Sequence, residues 1–173
     1  MSSIDRRDNI LKLLLESSEP LKGSAIAQKY SVTRQIIVKD IAILRANGKN
    51  IIATPDGYII NKNENKVKVI IAVIHTEEEM FDEMNIVIKY GGIIEDVIVE
   101  HPLYGEITAM LMIKNYNELN KFVQKYQEQR AKLLSALTNG VHLHTISAER
   151  EGDINLIISE LKKYNFIVSD LED

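Results

Sequence analysis

The sequence contains no cysteine. That absence excludes disulfides, thiolate metal sites and cysteine nucleophiles, and it fits a reducing compartment. No apolar run approaches the roughly 18 residues of a membrane span, and Met1-Ser2-Ser3-Ile4-Asp5 does not begin a signal peptide. A cytoplasmic protein with no membrane partner is therefore expected. Fixed-spacing catalytic motifs are missing too: there is no HExxH, no Gly-x-Ser-x-Gly elbow and no Walker-type phosphate loop. No nucleophile or general base is committed to a reaction, so an enzyme is not expected. Internal repeats and low-complexity tracts are absent as well. Histidine is scarce and placed late, since only four occur and none precedes His75.

The apolar share of 45% and charged share of 27% describe an ordinary globular chain, and 173 residues suffice for one or two small domains. Charge is unevenly spread. The net charge is −4, yet residues 1–62 carry ten Lys and Arg against six Asp and Glu, and residues 63–173 carry eleven against nineteen. A basic head on an acidic body is the pattern of a nucleic-acid-binding segment joined to a second domain.

Local patterns in the head agree. Residues 4–16 place Ile10, Leu11, Leu13 and Leu14 at helical spacing. Glu19-Pro20-Leu21 breaks that helix, because proline lacks a backbone donor. A short second helix starts at Gly23-Ser24, with Ser24 as its cap, and runs to Tyr30. Thr33 caps a third helix, Arg34 to Ala46, whose Ile37, Ile41 and Leu44 form an apolar stripe with Val38 beside it. Ile51 to Thr54, the turn Pro55-Asp56-Gly57, and Tyr58 to Ile60 read as a hairpin.

This order is that of a winged helix-turn-helix over residues 1–62. The third helix enters the major groove with Thr33, Arg34, Gln35 and Lys39 on its polar face and Arg45 near its far end. Arg and Gln read guanine and adenine edges in bidentate fashion, while Thr and Lys suit phosphate oxygens. A three-helix protein-interaction module with a solvated face is the alternative. The hairpin and the basic charge favour operator DNA as partner.

After a polar linker, Asn61 to Lys66, residues 66–173 alternate strands and helices. Val67 to Ile74 is a strand, and Thr76-Glu77-Glu78-Glu79 is a capping box opening a helix to about Tyr90. Ile93 to Glu100 and Ile107 to Ile113 are strands joined by His101-Pro102-Leu103-Tyr104-Gly105. Asn117 caps a helix to about Arg130, Leu143 to Ser147 is a strand, and Asp153 caps a helix ending near Tyr164. Phe166-Ile167-Val168 closes the chain. The fold class expected is α+β: a winged helix-turn-helix followed by a two-layer sandwich with a mostly antiparallel sheet.

Taken singly, each histidine reads as an ordinary polar residue. His142 and His144 differ, because residues two apart on a strand point to one side, and adjacent imidazoles repel if both are protonated. A metal removes that conflict by binding both as neutral donors. His75 ends a strand just before a helix, and Glu83 lies about two turns into that helix. His75, Glu83, His142 and His144 together offer three nitrogens and a carboxylate, a set suited to Zn, Ni, Fe or Mn. Glu79 competes with Glu83 but is already used by the capping box. His101 and Tyr104 form either a pocket wall for a small ligand or a plain strand connection.

Four stretches in register carry a resemblance: Ser31 to Ile41, Ile52 to Tyr58, His101 to Gly105 and Gly140 to Thr145. The chain resembles the NiaR-type transcriptional repressors, which join a biotin-repressor-type winged helix-turn-helix to a 3H domain named for three histidines. The resemblance implies a homodimeric repressor of NAD-salvage and niacin-uptake genes, with nicotinic acid or a related pyridine carboxylate as corepressor. It places a divalent metal on His75, Glu83, His142 and His144, and the effector beside His101 and Tyr104. A metal-sensing regulator without an organic effector is the alternative function.

Overall fold

The computed structural model describes residues 2–60 and 65–168, and the chain divides into two compact units, Met1–Glu64 and Asn65–Asp173. Of the linker expected at residues 61–66, Asn61 to Glu64 lie outside the described residues.

In the first unit, α1 spans Ser3–Glu16 and buries Ile10 and Leu14. Ser2 and Asp5 cap it reciprocally: the Ser2 hydroxyl accepts from the Asp5 N–H at 3.1 Å, and the Asp5 carboxylate accepts from the Ser2 N–H at 3.1 Å. α2 is Gly23–Lys29. Its N-cap is Lys22, without a side-chain bond, so Ser24 is a helical residue and not the expected cap. α3, Arg34–Ala46, is capped by Thr33, whose hydroxyl accepts from the Ile36 N–H at 3.4 Å. Ile10, Leu14, Ile26, Ile37, Ile41 and Leu44 form one core, each fully buried side chain contributing about 1.5–3 kcal/mol. Ile37, Ile41 and Leu44 of the expected stripe are buried, and Val38 beside it is 42% exposed.

β1 (Ile51–Thr54) and β2 (Gly57–Ile60) pair antiparallel with Ile51 opposite Ile60. Leu21 joins them by exchanging backbone bonds with Tyr58, at 2.8 and 2.9 Å. Gly57 is required at that crossing. Its φ is +135°, and a Cβ there would lie 2.3 Å from the Leu21 carbonyl oxygen.

The second unit runs β3 (Val67–Ile74), α4 (Met80–Lys89), β4 (Ile93–His101), β5 (Gly105–Ile113), α5 (Tyr116–Gln129), a 3₁₀ turn (Leu134–Thr138), β6 (Val141–Ala148) and α6 (Glu151–Lys163). The four strands lie in the order β3-β6-β4-β5, and every neighbouring pair is antiparallel. β6 therefore separates β3 from β4. One core unites the three helices with the sheet through residues such as Val73, Ile94, Leu119, Ile146, Ile157 and Leu161.

Several expected helix starts move. α4 begins at Met80, although Glu79 makes its half of the expected capping box, its carboxylate accepting from the Thr76 N–H and hydroxyl at 2.9 and 3.0 Å. The Glu79 N–H bonds the Thr76 carbonyl oxygen at 3.2 Å and not its hydroxyl, and Glu77 to Glu79 form a turn ahead of the helix. α5 is capped by Asn115 and not Asn117: the Asn115 side chain accepts from the Glu118 N–H at 3.0 Å, and Glu118 accepts from the Lys114 N–H at 2.8 Å. Asp153 lies inside α6, where it pairs with Arg150 at 2.9 Å. The 3₁₀ turn was not anticipated. Phe166 to Val168 pairs with the outer edge of β3, Ile167 bridging Val73. Among the described residues, no helix is long and apolar enough to cross a membrane.

Candidate metal centre and DNA-reading face

The β3–β6 register sets Val73 opposite His142 and Ile71 opposite His144. Val73 and Ile71 face the core, so strand alternation turns both imidazoles inward beneath the helices. His142 and His144 are 4% and 3% exposed, and Glu83 of α4 is fully buried. His75 follows the end of β3, and its ring stands edge-on to His142, centroid to centroid 4.8 Å. The His142 and His144 rings are likewise perpendicular at 4.7 Å. Their Nε2 atoms lie 3.1 Å apart, and the His144 Nε2 is 3.7 Å from the Glu83 Oε2. The structure thus gathers all four residues anticipated as metal ligands.

The second ring nitrogens explain how the imidazoles are oriented. Nδ1 of His75 meets the Thr76 carbonyl at 2.7 Å, Nδ1 of His142 meets the Gly140 carbonyl at 2.8 Å, and Nδ1 of His144 meets the Asp96 carbonyl. A carbonyl oxygen only accepts, so each Nδ1 carries the hydrogen. Each neutral ring therefore presents its Nε2 lone pair, the atom that binds a metal.

Burial enforces that neutrality. It pushes His142 down to about 4, against the opposing pull of the Gly140 carbonyl. His144 falls to about 3 through burial first and the neighbouring His142 second. Burial likewise pushes the Glu83 carboxyl up to about 8. Both Glu83 oxygens lack a hydrogen-bond partner among the described residues. An unsatisfied buried polar atom costs about 1–3 kcal/mol.

Two facing lone pairs and an orphaned carboxylate suit a divalent cation. Two nitrogens held by one ion at about 2.0–2.1 Å stand roughly 3 Å apart, close to the separation of His142 and His144. Among the described residues, no three such side chains form a complete cage as they stand, so closing one requires side-chain movement.

Two residues outside the anticipated set shape this centre. β4 carries an irregularity between Ile94 and Asp96 in its pairing with β5. Asp96 there offers its carbonyl to His144 and its carboxylate to the Thr145 N–H at 2.8 Å. Gly140, at φ +94°, brings the chain so close that a Cβ would lie 3.0 Å from the His75 carbonyl oxygen. Gly140 was legible in its motif; Asp96 carried no signal, since a bulge leaves none in the pattern.

His101 and Tyr104 lie elsewhere. They occupy the β4–β5 turn, where the His101 Nδ1 accepts from the N–H groups of Leu103 and Tyr104 at 3.1 and 3.3 Å. The two rings are 5.0 Å apart, and Tyr104 is 72% exposed. Ile98 pairs with Leu143, which puts this turn at the His142 end of the sheet. The structure does not bring either side chain into the histidine cluster.

On the first unit, Thr33, Arg34, Gln35, Lys39 and Arg45 are all exposed along α3. Behind them Asp40 is buried at 2% exposure and accepts from Arg6, Nε at 2.6 Å and Nη2 at 3.4 Å, with Arg7 Nη1 at 3.5 Å. This pair ties α1 to the helix that bears the polar face, and sequence patterning did not reveal it.

Comparison with known proteins agrees with this division. Residues 6–59 match an HTH domain family and residues 68–170 match the 3H domain. The chain is 42% identical over 166 residues to the probable transcription repressor NiaR of Thermotoga maritima, covering 96% of this chain and 95% of that protein. It is 36% identical over 170 residues to the transcription repressor NadR of Bacillus subtilis, covering 96% and 94%. An uncharacterized protein of Methanothermus fervidus is 26% identical over 156 residues, which is 85% of this chain and 20% of that protein.

Proposed function

Because the chain belongs to the NiaR-type transcription repressors, we propose that it represses NAD-salvage and niacin-uptake genes with nicotinic acid as corepressor, bound at a metal in the 3H domain. Binding of operator DNA follows from its helix-turn-helix domain and from the repressors it resembles. The observation that carries the metal site is the pair of facing Nε2 atoms of His142 and His144, 3.1 Å apart, beside a buried Glu83 carboxyl that lacks a hydrogen-bond partner among the described residues.

In this reading His75, His142 and His144 hold a divalent metal (Zn, Ni, Fe or Mn) through Nε2, and Glu83 completes the set. When bound, the metal supplies a fixed positive centre with room for a pyridine carboxylate. The carbonyls of Thr76, Gly140 and Asp96 keep the imidazoles aimed, and the packed core around Glu83 excludes water. His101 and Tyr104 are the proposed effector contacts. The protein acts as a homodimer whose two recognition helices meet half-sites about one helical turn apart. Nicotinate strengthens repression to the extent that it binds the DNA-competent geometry better than the other.

Elemental analysis and calorimetry test the site. One metal per chain, lost in His142→Ala and His144→Ala, and nicotinate heat only from metal-loaded protein are expected. Stoichiometric metal in both variants would mean that the ligands are wrong. A second reading is a metal sensor with no organic effector. It is favoured by the exposure of Tyr104 outside the cluster, and calorimetry separates it because a pure sensor ignores nicotinate.

A further inference from the structure

α3 presents one apolar side chain where a solvated face has no use for it. Val38 is 42% exposed. It stands one helical turn from Arg34 and next to Lys39, with the small exposed Ala42 one turn further on. Its neighbours in the stripe, Ile37 and Ile41, are buried at 0% and 3% exposure, so Val38 is not a core residue displaced by poor packing. The buried pairing of Asp40 with Arg6 and Arg7 fixes the roll of the helix. Val38 is therefore held facing the same way as the polar readers.

The surface around Val38 names its occupant. Arg34, Lys39 and Arg45 make this face cationic, and the matched domain is a helix-turn-helix. In the major groove the one apolar feature on a base edge is the C5-methyl of thymine. We propose that Val38 is a specificity-determining residue that packs against a thymine methyl in each operator half-site. This deepens the DNA-binding reading and rests on it.

Spacing adds a positional expectation. Four residues of helix advance about 6 Å, and successive bases on a strand rise about 3.4 Å. The thymine under Val38 therefore lies roughly two base steps from the purine read by Arg34 or Gln35. Polar readers alone would favour purines; the valine makes the half-site favour a purine followed closely by an A·T pair with its methyl toward the helix.

The test uses the full chain and a duplex selected from a randomised library, with each thymine replaced in turn by deoxyuridine, which lacks only the methyl. Affinity is measured at one fixed salt concentration. The wild type should lose about fourfold at one thymine per half-site, the factor a buried group of that size supplies, and about fifteenfold when both are replaced. Val38→Ala should bind the thymine duplex as weakly as the deoxyuridine one, and Val38→Thr, which keeps one methyl, should retain part of the difference. Val38 is exposed, so unchanged thermal midpoints are expected for both variants. Tight binding with no deoxyuridine sensitivity at any thymine overturns the assignment and leaves DNA recognition standing. Full sensitivity retained in Val38→Ala also overturns it, and failure to select any duplex overturns both readings.

Discussion

The Nε2 atoms of His142 and His144 face each other at 3.1 Å while both Nδ1 hydrogens are donated to backbone carbonyls, those of Gly140 and Asp96. The main chain, and not a partner side chain, sets the tautomer of each ring. The same holds for His75 and the Thr76 carbonyl. A site built this way is aimed before any ion arrives, which lowers the ordering cost of binding.

Metal should therefore stabilise the fold strongly. An ion present at a hundred times its dissociation constant contributes about 2.7 kcal/mol, and a chain of this size shifts by about 2–4 °C per kcal/mol. Chelation should lower the wild-type thermal midpoint by about 5–10 °C and leave His144→Ala unmoved. Differential scanning calorimetry with and without chelator reads this directly, and equal shifts in both proteins would contradict it.

The metal-free protein should be most stable near pH 6.5. Glu83 titrates near 4.5 when unfolded and about 8 when folded. Its contribution is complete below 4.5 and is lost as pH rises through 8. His142 and His144 move the other way, from 6.5 to about 4 and about 3. Their contribution is complete above 6.5 and is lost as pH falls toward 4 and 3. Below 6.5 two histidines outweigh one carboxyl, and above it only the carboxyl counts. Urea midpoints between pH 5 and 8 should pass through a maximum, and Glu83→Gln should abolish the alkaline decline. A Glu83→Gln profile identical to wild type would refute the assignment of that limb.

Gly140→Ala should weaken both fold and site. It forces a side chain onto φ +94° and brings a Cβ to 3.0 Å from the His75 carbonyl oxygen. The backbone strain costs about 1–3 kcal/mol. Because the Gly140 carbonyl holds the His142 Nδ1 hydrogen, metal affinity should fall as well. Competition with a chromogenic chelator measures it.

Asp40→Ala should impair DNA binding from behind the contact face. Removing one partner of a buried ion pair leaves the others unmatched. Arg6 and Arg7 keep 13% and 20% side-chain exposure, so the destabilisation should be moderate, about 2–3 kcal/mol. Arg6→Lys should be milder in stability yet lose the two-pronged contact. Anisotropy at a temperature where both variants are folded should show weaker operator binding, and unchanged affinity would free Asp40 of that role.

Much of this was legible in the sequence where one period or one cap decides the outcome. Thr33 announced α3, and the period of two on β6 announced that His142 and His144 share a side. What escaped depends on groups that meet only in three dimensions. The capping box at Thr76 forms only in half: Glu79 accepts from the Thr76 N–H, while the Glu79 N–H closes a turn on the Thr76 carbonyl, a choice that no spacing records. Asn115 and Asn117 are equally good caps by residue type, and Glu118 selected the former by accepting from Lys114. Val38 stands beside the stripe of Ile37, Ile41 and Leu44, and its exposure was not legible because a helical wheel cannot say where the neighbouring helices stop. Asp96 entered the site through a strand irregularity, and Asp40 through an ion pair 34 residues long in sequence.

The measurement closest to the central proposal is the affinity of the metal-loaded full chain for its selected operator duplex, with and without nicotinate, at constant salt. Coupling energies of ordinary allosteric size predict tightening between about 5-fold and 150-fold. Superimposable binding curves would contradict the proposal that nicotinate gates this repressor.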